Sequence, residues 1–475
     1  MKCLFCSSEA NPFISTGGLG DVSGSLPKYL NKKNIDCRII LPLYSEIPYE
    51  FKKNLKYLKN FNVPVSWRNQ YCGVFEYEYE KVKYYFLDNE YYFKRNGIYG
   101  HFDDAERFAF FSRAILEFIK HIDFLPNIIH CNDWQTSLVP VYLGLYYFDK
   151  PKYKNIKTLF TIHNIQYQGK YSKDIIREVV GVPQETLSLL EYDGCINFMK
   201  GGIETAHFVS TVSKTYAEEI MDPFYSYNLD GILKSRKWKV AGILNGIDVK
   251  TYNPNTDKLI YKNYSIKDIN SKKQNKVALQ RRLNLKENKE IPMLTMVTRL
   301  TYHKGIDLVI KVLEEIINGN DMQFVILGTG EKEYETFFYN MQLRYPQKVS
   351  ANFGFMPELS HKIYAASDIF LMPSLYEPCG LSQMIAMKYG SIPIVRETGG
   401  LKDTVKDSLD GKGTGFTFKN YDPYDMKKAI TRALEGYKNQ NGWQTLMIRA
   451  MNEDNSFNKS AQEYINLYNK LISIT

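Results

Sequence analysis

The fold class is visible in residues 293–330, which read MLTMVTRLTYHKGIDLVIKVLEEIINGNDMQFVILGTG. Two apolar runs, Met293–Arg299 and Gln323–Leu327, have the length and composition of buried strands. Between them, Ile306–Ile317 carries its apolar residues on one face of a helix, at Ile306, Val309, Leu313 and Ile316. A strand, a helix and a second strand that ends in glycines predict a βαβ unit, which requires a parallel sheet.

The same alternation of strand and helix patterns extends over most of the chain. Further strands are predicted at Cys3–Ser7, Ile39–Leu43, Ile128–His130, Leu159–His163, Phe208–Val212, Ala351–Phe355, Ile369–Met372 and Pro393–Arg396. Helices are predicted after Gly18 towards Lys33 and over Asp104–Lys120, Ser382–Tyr389 and Ser460–Ile472, and a hairpin over Val74–Lys81 and Lys83–Leu87. Two such series predict an α/β chain with two doubly wound domains, joined near Leu244–Asp248.

Length and composition exclude several classes of protein. The chain has 475 residues, of which 44% are hydrophobic and 24% charged, and this excludes a disordered, collagen-like or coiled-coil protein. No apolar run approaches the roughly 18–20 residues of a membrane helix, and Met1–Ala10 does not resemble a signal peptide. We therefore expect a cytoplasmic protein without a membrane partner.

Cysteine usage and charge exclude two further functions. The seven cysteines are scattered, and Cys3 and Cys6 stand alone as a pair, so buried structural thiols are expected rather than a zinc or redox site. The net charge of +9 is spread along the chain instead of being concentrated in one tail or face. This favours a solvated surface or an anionic small substrate, and not a nucleic-acid partner.

Polar clusters follow the predicted strands, where ligands bind in open parallel sheets. They lie at Ser15–Asp21, His130–Gln135, His163–Gln168, Arg299–Lys304, Gly328–Gly330, Glu377–Gln383 and Thr398–Leu401. Because the clusters are divided between two domains, the pattern predicts a cleft that closes on a polar, phosphate-bearing ligand.

Three motifs suit such a ligand, although each has a plain structural reading. The glycines of Thr16–Asp21 allow close approach of a phosphate to a helix N-terminus, but they also suit a tight turn. Arg299 and Lys304 can converge on a diphosphate and stabilise it as a leaving group, or they can be surface cations. Glu377, in Glu377–Leu381, can hold sugar hydroxyls or simply cap a helix, and Thr398–Leu401 repeats that arrangement.

Asp133, Trp134 and Gln135, together with His163 and Asn164, place polar groups beside an aromatic ring. This combination suits a sugar, with hydroxyls on the polar groups and the ring face on Trp134, but a buried, hydrogen-bonded histidine is the structural alternative. No set of residues has metal-ligand spacing, and no Gly-x-Ser-x-Gly motif supports a serine hydrolase.

In this order, the motifs resemble the bacterial glycogen synthase and plant starch synthase family nearly from end to end. The matching stretches are Ser8–Pro12, Gly17–Val22, Tyr99–Gly100, Arg107–Phe108, His130–Gln135, His163–Gly169, Thr211–Ser213, Gly242–Asp248, Arg299–Thr301, Lys304–Gly305, Glu377–Leu381 and Arg396–Leu401.

The resemblance implies a GT-B fold, in which two Rossmann-like domains face each other across a cleft. We predict an N-terminal acceptor-side domain over residues 1–243, a donor-side domain over 244–459, and a last helix over 460–475 that crosses back to the first domain. The implied reaction moves glucose from ADP-glucose to the non-reducing end of an α-1,4-glucan such as glycogen or a malto-oligosaccharide. Configuration is retained, and no metal or cofactor takes part.

Residue roles follow from the same resemblance. The predicted catalytic residues are Arg299 and Lys304 on the diphosphate, Glu377 on the donor glucose, and His163, whose carbonyl lies near the anomeric centre. The predicted donor-binding residues are Ser15, Gly18, Asn245, Phe355 (against the adenine), Cys379, Gly380, Leu381, Ser382, Thr398, Gly399 and Gly400. The predicted acceptor-side residues are Asp21, Asp133, Trp134 and Gln168.

Two positions depart from the family pattern. Position 15 is Ser where much of the family has Lys, which affects donor affinity or donor choice, and Tyr252 replaces a usual Trp in a way that reads as structural. The alternatives are a related glucosyltransferase that uses UDP-glucose or another acceptor, and a weakly active glucan-binding paralogue.

Overall fold

A computed structural model of the chain describes residues 1–473. The chain divides into two compact units. Unit 1 comprises Met1–Asn245 and the segment that begins at Phe457, and unit 2 comprises Gly246–Ser456. The predicted boundaries lay at residues 243 and 460.

Unit 1 is built on a large mixed sheet. Its strands and those of a small accessory sheet are, in chain order, β1 (Lys2–Cys6), β2 (Asp36–Pro42), β3 (Lys56–Val65), β4 (Arg68–Tyr79), β5 (Val82–Asp88), β6 (Ile128–Asn132), β7 (Lys157–Ile162), β8 (Lys170–Tyr171), β9 (Glu191–Tyr192), β10 (Cys195–Asn197), β11 (Phe208–Thr211) and β12 (Val240–Gly242). The large sheet has the order β12-β11-β7-β6-β1-β2-β5-β4-β3, and the small sheet the order β8-β10-β9.

The helices of unit 1 cover the large sheet. They are α1 (Gly18–Lys32), α2 (Tyr49–Lys52), α3 (Glu90–Phe93), α4 (Asp104–His121), α5 (Leu138–Tyr146), α6 (Phe198–Thr205), α7 (Lys214–Glu219) and α8 (Asp230–Ser235). Because both faces of the central strands are covered, β6 is buried along its whole length, His130 included. The buried His130 is tolerated because its two ring nitrogens hydrogen-bond Tyr468 (2.7 Å) and Thr161 (2.6 Å).

One edge of this sheet is antiparallel. The predicted hairpin exists as β4 and β5, and β5 joins the parallel strands through β2. The additional edge strand β3 pairs antiparallel with β4, so the large sheet of unit 1 is mixed. Sequence patterns missed β3 because it is an edge strand with Pro64 and many polar residues, and its burial is incomplete.

Unit 2 is built on a six-stranded parallel sheet whose strands are connected by helices. Its strands are β13 (Met293–Val297), β14 (Gln323–Gly328), β15 (Val349–Phe353), β16 (Ile369–Met372), β17 (Ile392–Arg396) and β18 (Phe416–Phe418). They are arranged in the order β15-β14-β13-β16-β17-β18. After β13, the strands β14 and β15 are added on one side of it, and β16, β17 and β18 are then added on the other side. This is the strand arrangement of dinucleotide-binding folds.

The helices of unit 2 connect these strands. They are α9 (Lys272–Arg282), α10 (Ile306–Gly319), α11 (Lys332–Arg344), α12 (Pro357–Ala366), α13 (Ser382–Lys388), α14 (Gly399–Thr404), α15 (Pro423–Lys438) and α16 (Gln440–Asn452). The unit keeps a core of its own, in which Leu279 of α9 and Ile363 of α12 pack against Met293 and Val325 of the sheet.

The last helix, α17 (Phe457–Ser473), belongs to unit 1. It follows unit 2 in the chain, yet Tyr468 bonds His130, and Ser460 Oγ donates to the carbonyl of Leu244 (2.5 Å). Tyr468 also receives a weak hydrogen bond from the thiol of Cys3 (3.8 Å). Cys3 and Cys6 are free, buried thiols, as we predicted.

No helix within residues 1–473 is long and apolar enough to span a membrane. The same residues contain no group of three or more His, Cys, Asp or Glu side chains able to hold a metal ion.

Candidate active site

The strand order of unit 2 locates its ligand-binding edge. The order reverses between β13 and β16, and ligands of doubly wound sheets bind beyond the carboxyl ends of the strands at such a point. Arg299 and Lys304 lie in the connection that follows β13, and Glu377 lies in the connection that follows β16. Lys304 and Glu377, which are 73 positions apart in the chain, therefore lie at the same edge of the sheet.

An ion pair joins the two connections. Lys304 Nζ lies 2.7 Å from Oε2 of Glu377, and the same oxygen accepts a hydrogen bond from Ser374 Oγ (3.0 Å). The side chain of Glu377 is 9% exposed and that of Lys304 is 16% exposed. Breaking such a largely buried pair leaves an uncompensated charge, so both side chains are held in place.

A second cation lies nearby and makes no internal ion pair. Arg299 is exposed and forms no salt bridge with any of the described residues. Burial, Lys304 and Arg299 together lower the pKa of His303 to about 4, so His303 is neutral at physiological pH. The edge therefore has a positive potential, which suits an anionic ligand.

The adjacent glycines Gly399 and Gly400 pack against the backbone next to Glu377. Gly399 has φ = +43°, and the N–H of Gly400 donates to the carbonyl of Glu377 (3.1 Å). A Cβ added at Gly399 would overlap that carbonyl, and one at Gly400 would overlap the carbonyl of Cys379. Glycine is required here because the connections after β16 and β17 pack backbone against backbone.

The other predicted donor-binding residues of unit 2 have two distinct environments. Cys379 and Thr398 are buried, whereas Leu381 and Ser382 are half-buried where α13 begins, next to Gly380 with φ = +71°. Phe355 is 94% exposed and follows β15. A phenylalanine so exposed is free to stack on a planar ligand.

In unit 1, a carboxylate organises the glycine-rich loop. Oε2 of the buried Glu9 accepts hydrogen bonds from the backbone N–H and from Oγ1 (3.0 Å) of Thr16. Burial raises the pKa of Glu9 to about 7. In the same loop, Asn11 Nδ2 donates to Asp21 (2.6 Å), and the exposed Ser15 donates to the carbonyl of Gly17 (3.2 Å).

Asp133 and His163 follow the neighbouring strands β6 and β7. The carboxylate of Asp133 accepts from the backbone N–H groups of His163 (2.7 Å) and Asn164 (3.4 Å), while burial raises its pKa to about 7. Asp133 has φ = +56°, a strained conformation that is concentrated at functional sites. Burial lowers the pKa of His163 to about 3, and its Nε2 donates to Asn132 (2.9 Å), so the ring is neutral.

Asn245 presents a polar atom without an internal partner. Its side chain is buried, and its Oδ1 has no hydrogen-bond partner among residues 1–473. A buried acceptor without a donor is costly, which points to a ligand or water that supplies one.

The side chains of two predicted acceptor-side residues are enclosed within unit 1. The ring of Trp134 is 8% exposed and packs against Phe108, Tyr171 and Phe198, so its face is not open to a sugar as we expected. The amide of Gln168 is also fully occupied. It donates to the carbonyls of Ile165 and Tyr227 and accepts from Asn197. Both side chains support the loop after β7 from within, because the tertiary fold covers them with aromatic and backbone groups.

The sequence did not identify Glu9 and Ser374 as residues of the candidate site. Glu9 lies in a matching stretch but was assigned no chemistry, and its position just after an apolar strand was the signal available. Ser374, three residues before Glu377, had no such signal, because a serine that fixes a carboxylate is not distinguishable from a loop serine.

Tyr252, the second departure from the family pattern, stacks on His361 in unit 2 with ring centroids 5.1 Å apart.

Family models and curated proteins match the chain. Residues 2–235 match the family model described as the starch synthase catalytic domain, and residues 279–445 match that of glycosyl transferases group 1. The glycogen synthase of Clostridium perfringens is 53% identical over 99% of this chain and 98% of its own length. The glycogen synthase of Desulforamulus reducens is 49% identical over 99% of each.

Two solved structures resemble the chain over its full length. The catalytic domain of starch synthase IV from Arabidopsis thaliana, bound to ADP and acarbose, has a TM-score of 0.92 at 33% identity, over 99% of both chains. Sucrose-phosphate synthase from Thermosynechococcus elongatus, at 17% identity and a TM-score of 0.62, shares the fold alone.

The fold and the cationic strand-end site define the class as a two-domain glycosyltransferase of GT-B type. Sequence identity with a glycogen synthase over the full length, together with the match to the starch synthase catalytic domain, places the chain in one family of this class. The chain belongs to the glycogen and starch synthase family, and it is a glucosyltransferase enzyme of that family.

Proposed function

We propose that the enzyme transfers glucose from ADP-glucose to the non-reducing end of an α-1,4-glucan, with retention of configuration and without a metal, in the cytosol. The observation that carries the proposal is the Lys304–Glu377 pair with Arg299 beside it, at the point where the strand order of unit 2 reverses. In support, a relative with 33% identity is described as bound to ADP and acarbose, and the curated relatives are named glycogen synthases.

The reaction requires charge stabilisation at the leaving group. The bond between the anomeric carbon and the diphosphate oxygen breaks, and ADP leaves with the electron pair. The oxygen of an acceptor hydroxyl forms the new glycosidic bond and passes its proton to the departing diphosphate. Negative charge develops on the diphosphate, and preorganised cations stabilise such charge more strongly than water does.

The proposed roles follow from the chemistry of each group. Arg299 and Lys304 bind the diphosphate, and Glu377 holds the hydroxyls of the donor glucose while it is itself held by Lys304 and Ser374. The turns around Gly380 and Gly399 offer backbone N–H groups, and Phe355 stacks on the adenine. In unit 1, Asp133 fixes the backbone at His163, whose carbonyl is proposed to face the anomeric centre.

Glu377→Gln is expected to lower turnover while the affinity for ADP-glucose changes little. The amide keeps the shape, but it loses the charge that stabilises a sugar ring with developing positive charge. The measurement is a donor titration at saturating glycogen, with Glu435→Gln on the exposed face of α15 as the matched control. A Glu377→Gln enzyme with normal kinetics and a lower melting temperature would favour a purely structural role.

Donor choice is tested directly by nucleotide release. We expect ADP release from ADP-glucose that depends on added glycogen, and slower UDP release from UDP-glucose. Faster release from UDP-glucose would support the UDP-glucose alternative, and glucan binding without any release would support a weakly active paralogue.

Ser15→Lys is expected to lower the Michaelis constant for ADP-glucose about tenfold, the equivalent of ~1.4 kcal/mol. Ser15 is exposed beside the glycine turn, so a lysine fits there and adds a positive charge that Ser lacks. Ser15→Gln, which has comparable reach but no charge, is the control. If Ser15→Lys leaves donor kinetics unchanged or worse, the loop has adapted to Ser and this account of the position is wrong.

Activity is expected to persist in EDTA. The proposed site offsets the diphosphate charge with Arg299 and Lys304 rather than with a cation held by carboxylates. Rates with and without chelator, on enzyme dialysed free of metal, make the measurement. Complete inhibition that magnesium restores would contradict the metal-free mechanism.

A further inference from the structure

Unit 2 has a cavity of about 300 Å³ at the edge of its sheet opposite Arg299 and Glu377. The position is given by Asp368, which lines the cavity, directly precedes β16 and accepts from the N–H of Met293 at the start of β13 (2.8 Å). The cavity thus lies at the amino ends of the strands, whereas the proposed donor site lies at their carboxyl ends. Its size suits one small molecule.

Two helices supply most of the lining. The first two turns of α16 contribute Gln440, Trp443, Gln444 and Met447, whose spacing places them on one face of the helix. The beginning of α9 contributes Lys272, Lys273 and Lys276. A cluster of three lysines opposite amide side chains is suited to an anion that also carries hydroxyl groups.

The lysines differ in how far they are neutralised. Lys276 pairs with Asp368 (2.6 Å) and donates to Tyr437 OH (2.8 Å), and at the rim Lys273 pairs with Glu290 (3.2 Å). Lys272 is 3% exposed, and within residues 1–473 its Nζ donates only to the carbonyls of Tyr364 (3.3 Å) and Ala365 (2.8 Å). Lys272 makes no ion pair with any carboxylate among the described residues.

A buried ammonium without a counter-ion is unstable in its charged form. Burial lowers the pKa of Lys272 to about 7, with Asp368 opposing the shift and Lys276 adding to it. The remaining titratable groups near Lys272 are the ring of Tyr264, 5.6 Å from its Nζ, together with Lys273 and Tyr437 in the same lining. An anion next to Lys272 would supply the missing charge.

The other side of the cavity has unused hydrogen-bonding capacity. The buried Trp443 lines the cavity, and its indole N–H has no partner within residues 1–473. The amides of Asn441 and Gln444 also line it and make no side-chain hydrogen bond within the described part of the chain. These polar groups suit sugar hydroxyls, whereas the ring of Trp443 is already packed against Phe416 and Tyr437.

We propose that this cavity is a second ligand site, distinct from the donor site, for a small sugar phosphate. The phosphate lies against Lys272 and Lys273, and the hydroxyls meet Asn441 and Gln444. The occupant bridges α9 and α16, and α16 ends at Asn452, four residues before the chain leaves unit 2 at Ser456. The inference does not depend on the proposed donor or acceptor.

Titration calorimetry of the full chain at pH 8, with ADP saturating the proposed donor site, tests the site. The probes are mannose 6-phosphate, glycerol 3-phosphate and inorganic phosphate. Mannose 6-phosphate is expected to bind at least tenfold more tightly than inorganic phosphate. Comparing two buffers of different ionisation enthalpy should show proton uptake, because an anion raises the pKa of a largely neutral Lys272.

Variants separate the two halves of the site. Lys272→Met is expected to weaken binding at least tenfold and to abolish the proton uptake, whereas Lys267→Met, an exposed lysine outside the cavity, should change neither. The double variant Asn441→Ala and Gln444→Ala should weaken mannose 6-phosphate and leave inorganic phosphate unchanged. This rim variant carries the test if Lys272→Met does not fold.

Three results would overturn the proposal. They are no binding of any probe at millimolar concentration, equal affinity of the wild type and the rim variant for mannose 6-phosphate, and inorganic phosphate bound as tightly as mannose 6-phosphate. Failure of ADP itself to bind would count against the proposed function alone, because the same probe titrations support or overturn this site with or without ADP.

Discussion

Lys304→Ala and Arg299→Ala are each expected to lower turnover by about 10²–10³-fold, with little change in glycogen binding. Each cation is proposed to stabilise charge that develops on the leaving diphosphate, and removal of one preorganised contact of this kind costs roughly that factor. The measurement is the initial rate of ADP release at saturating donor and glycogen, together with glycogen affinity measured separately.

The two variants should differ in stability. Lys304→Ala leaves the carboxylate of Glu377 largely buried, with Ser374 as its one remaining hydrogen-bond partner among residues 1–473, so the melting temperature of this variant should fall. Arg299 is exposed and forms no ion pair in the described chain, so Arg299→Ala should melt like the wild type. Lys311→Ala, on the exposed face of α10, is the control for loss of a lysine. Near-normal turnover in both site variants would end the assignment of the diphosphate site.

Gly399→Ala is expected to lower turnover by roughly 10²-fold and to destabilise unit 2. A Cβ at this position would overlap the carbonyl oxygen of Glu377, and φ = +43° is unfavourable for alanine. The connection after β16 must then move, and Glu377 moves with it, so a displacement of about 1 Å at the site is enough to cost roughly 10²-fold. Turnover and melting temperature are measured on the same preparation.

Gly411→Ala separates the two causes. Gly411 also has a positive φ, of +72°, but a Cβ there meets no atom within 4 Å. This variant should show the backbone cost alone, on the order of 1 kcal/mol, and near-normal turnover. If both variants behave alike, the close approach of the two connections is not what holds Glu377.

The architecture was predictable because it depends on local patterns. Apolar runs and helical periodicity located most strands within two residues, and they located the helix that became α17. The edge strand β3 was missed, since its one covered side leaves a weak pattern and it contains Pro64. The strands of two or three residues, β8, β9, β10, β12 and β18, were also missed because they are too short to show a pattern. Its partners β4 and β5 were found because aromatic residues and glutamates alternate along β4.

The candidate site was predictable only in part. Motif order named Arg299, Lys304 and Glu377, but spacing in the chain does not show that Lys304 and Glu377 form an ion pair. Motifs also suggested Trp134 and Gln168 as contact residues, whereas aromatic packing and internal hydrogen bonds occupy both side chains. Burial of a side chain depends on elements distant in sequence, and no local pattern encodes it.

By itself, the sequence established the α/β class, the two series of strands and helices, and the family, because periodicity and motif order are properties of the chain. The tertiary structure alone brought Glu9 to Thr16, Asp133 to the backbone of His163, and the turn at Gly399 against Glu377. The same is true of Lys272, a lysine like many others in the chain until α9 and α12 enclose it. Charge and conformational strain acquire their energetic cost only when distant segments exclude water around them.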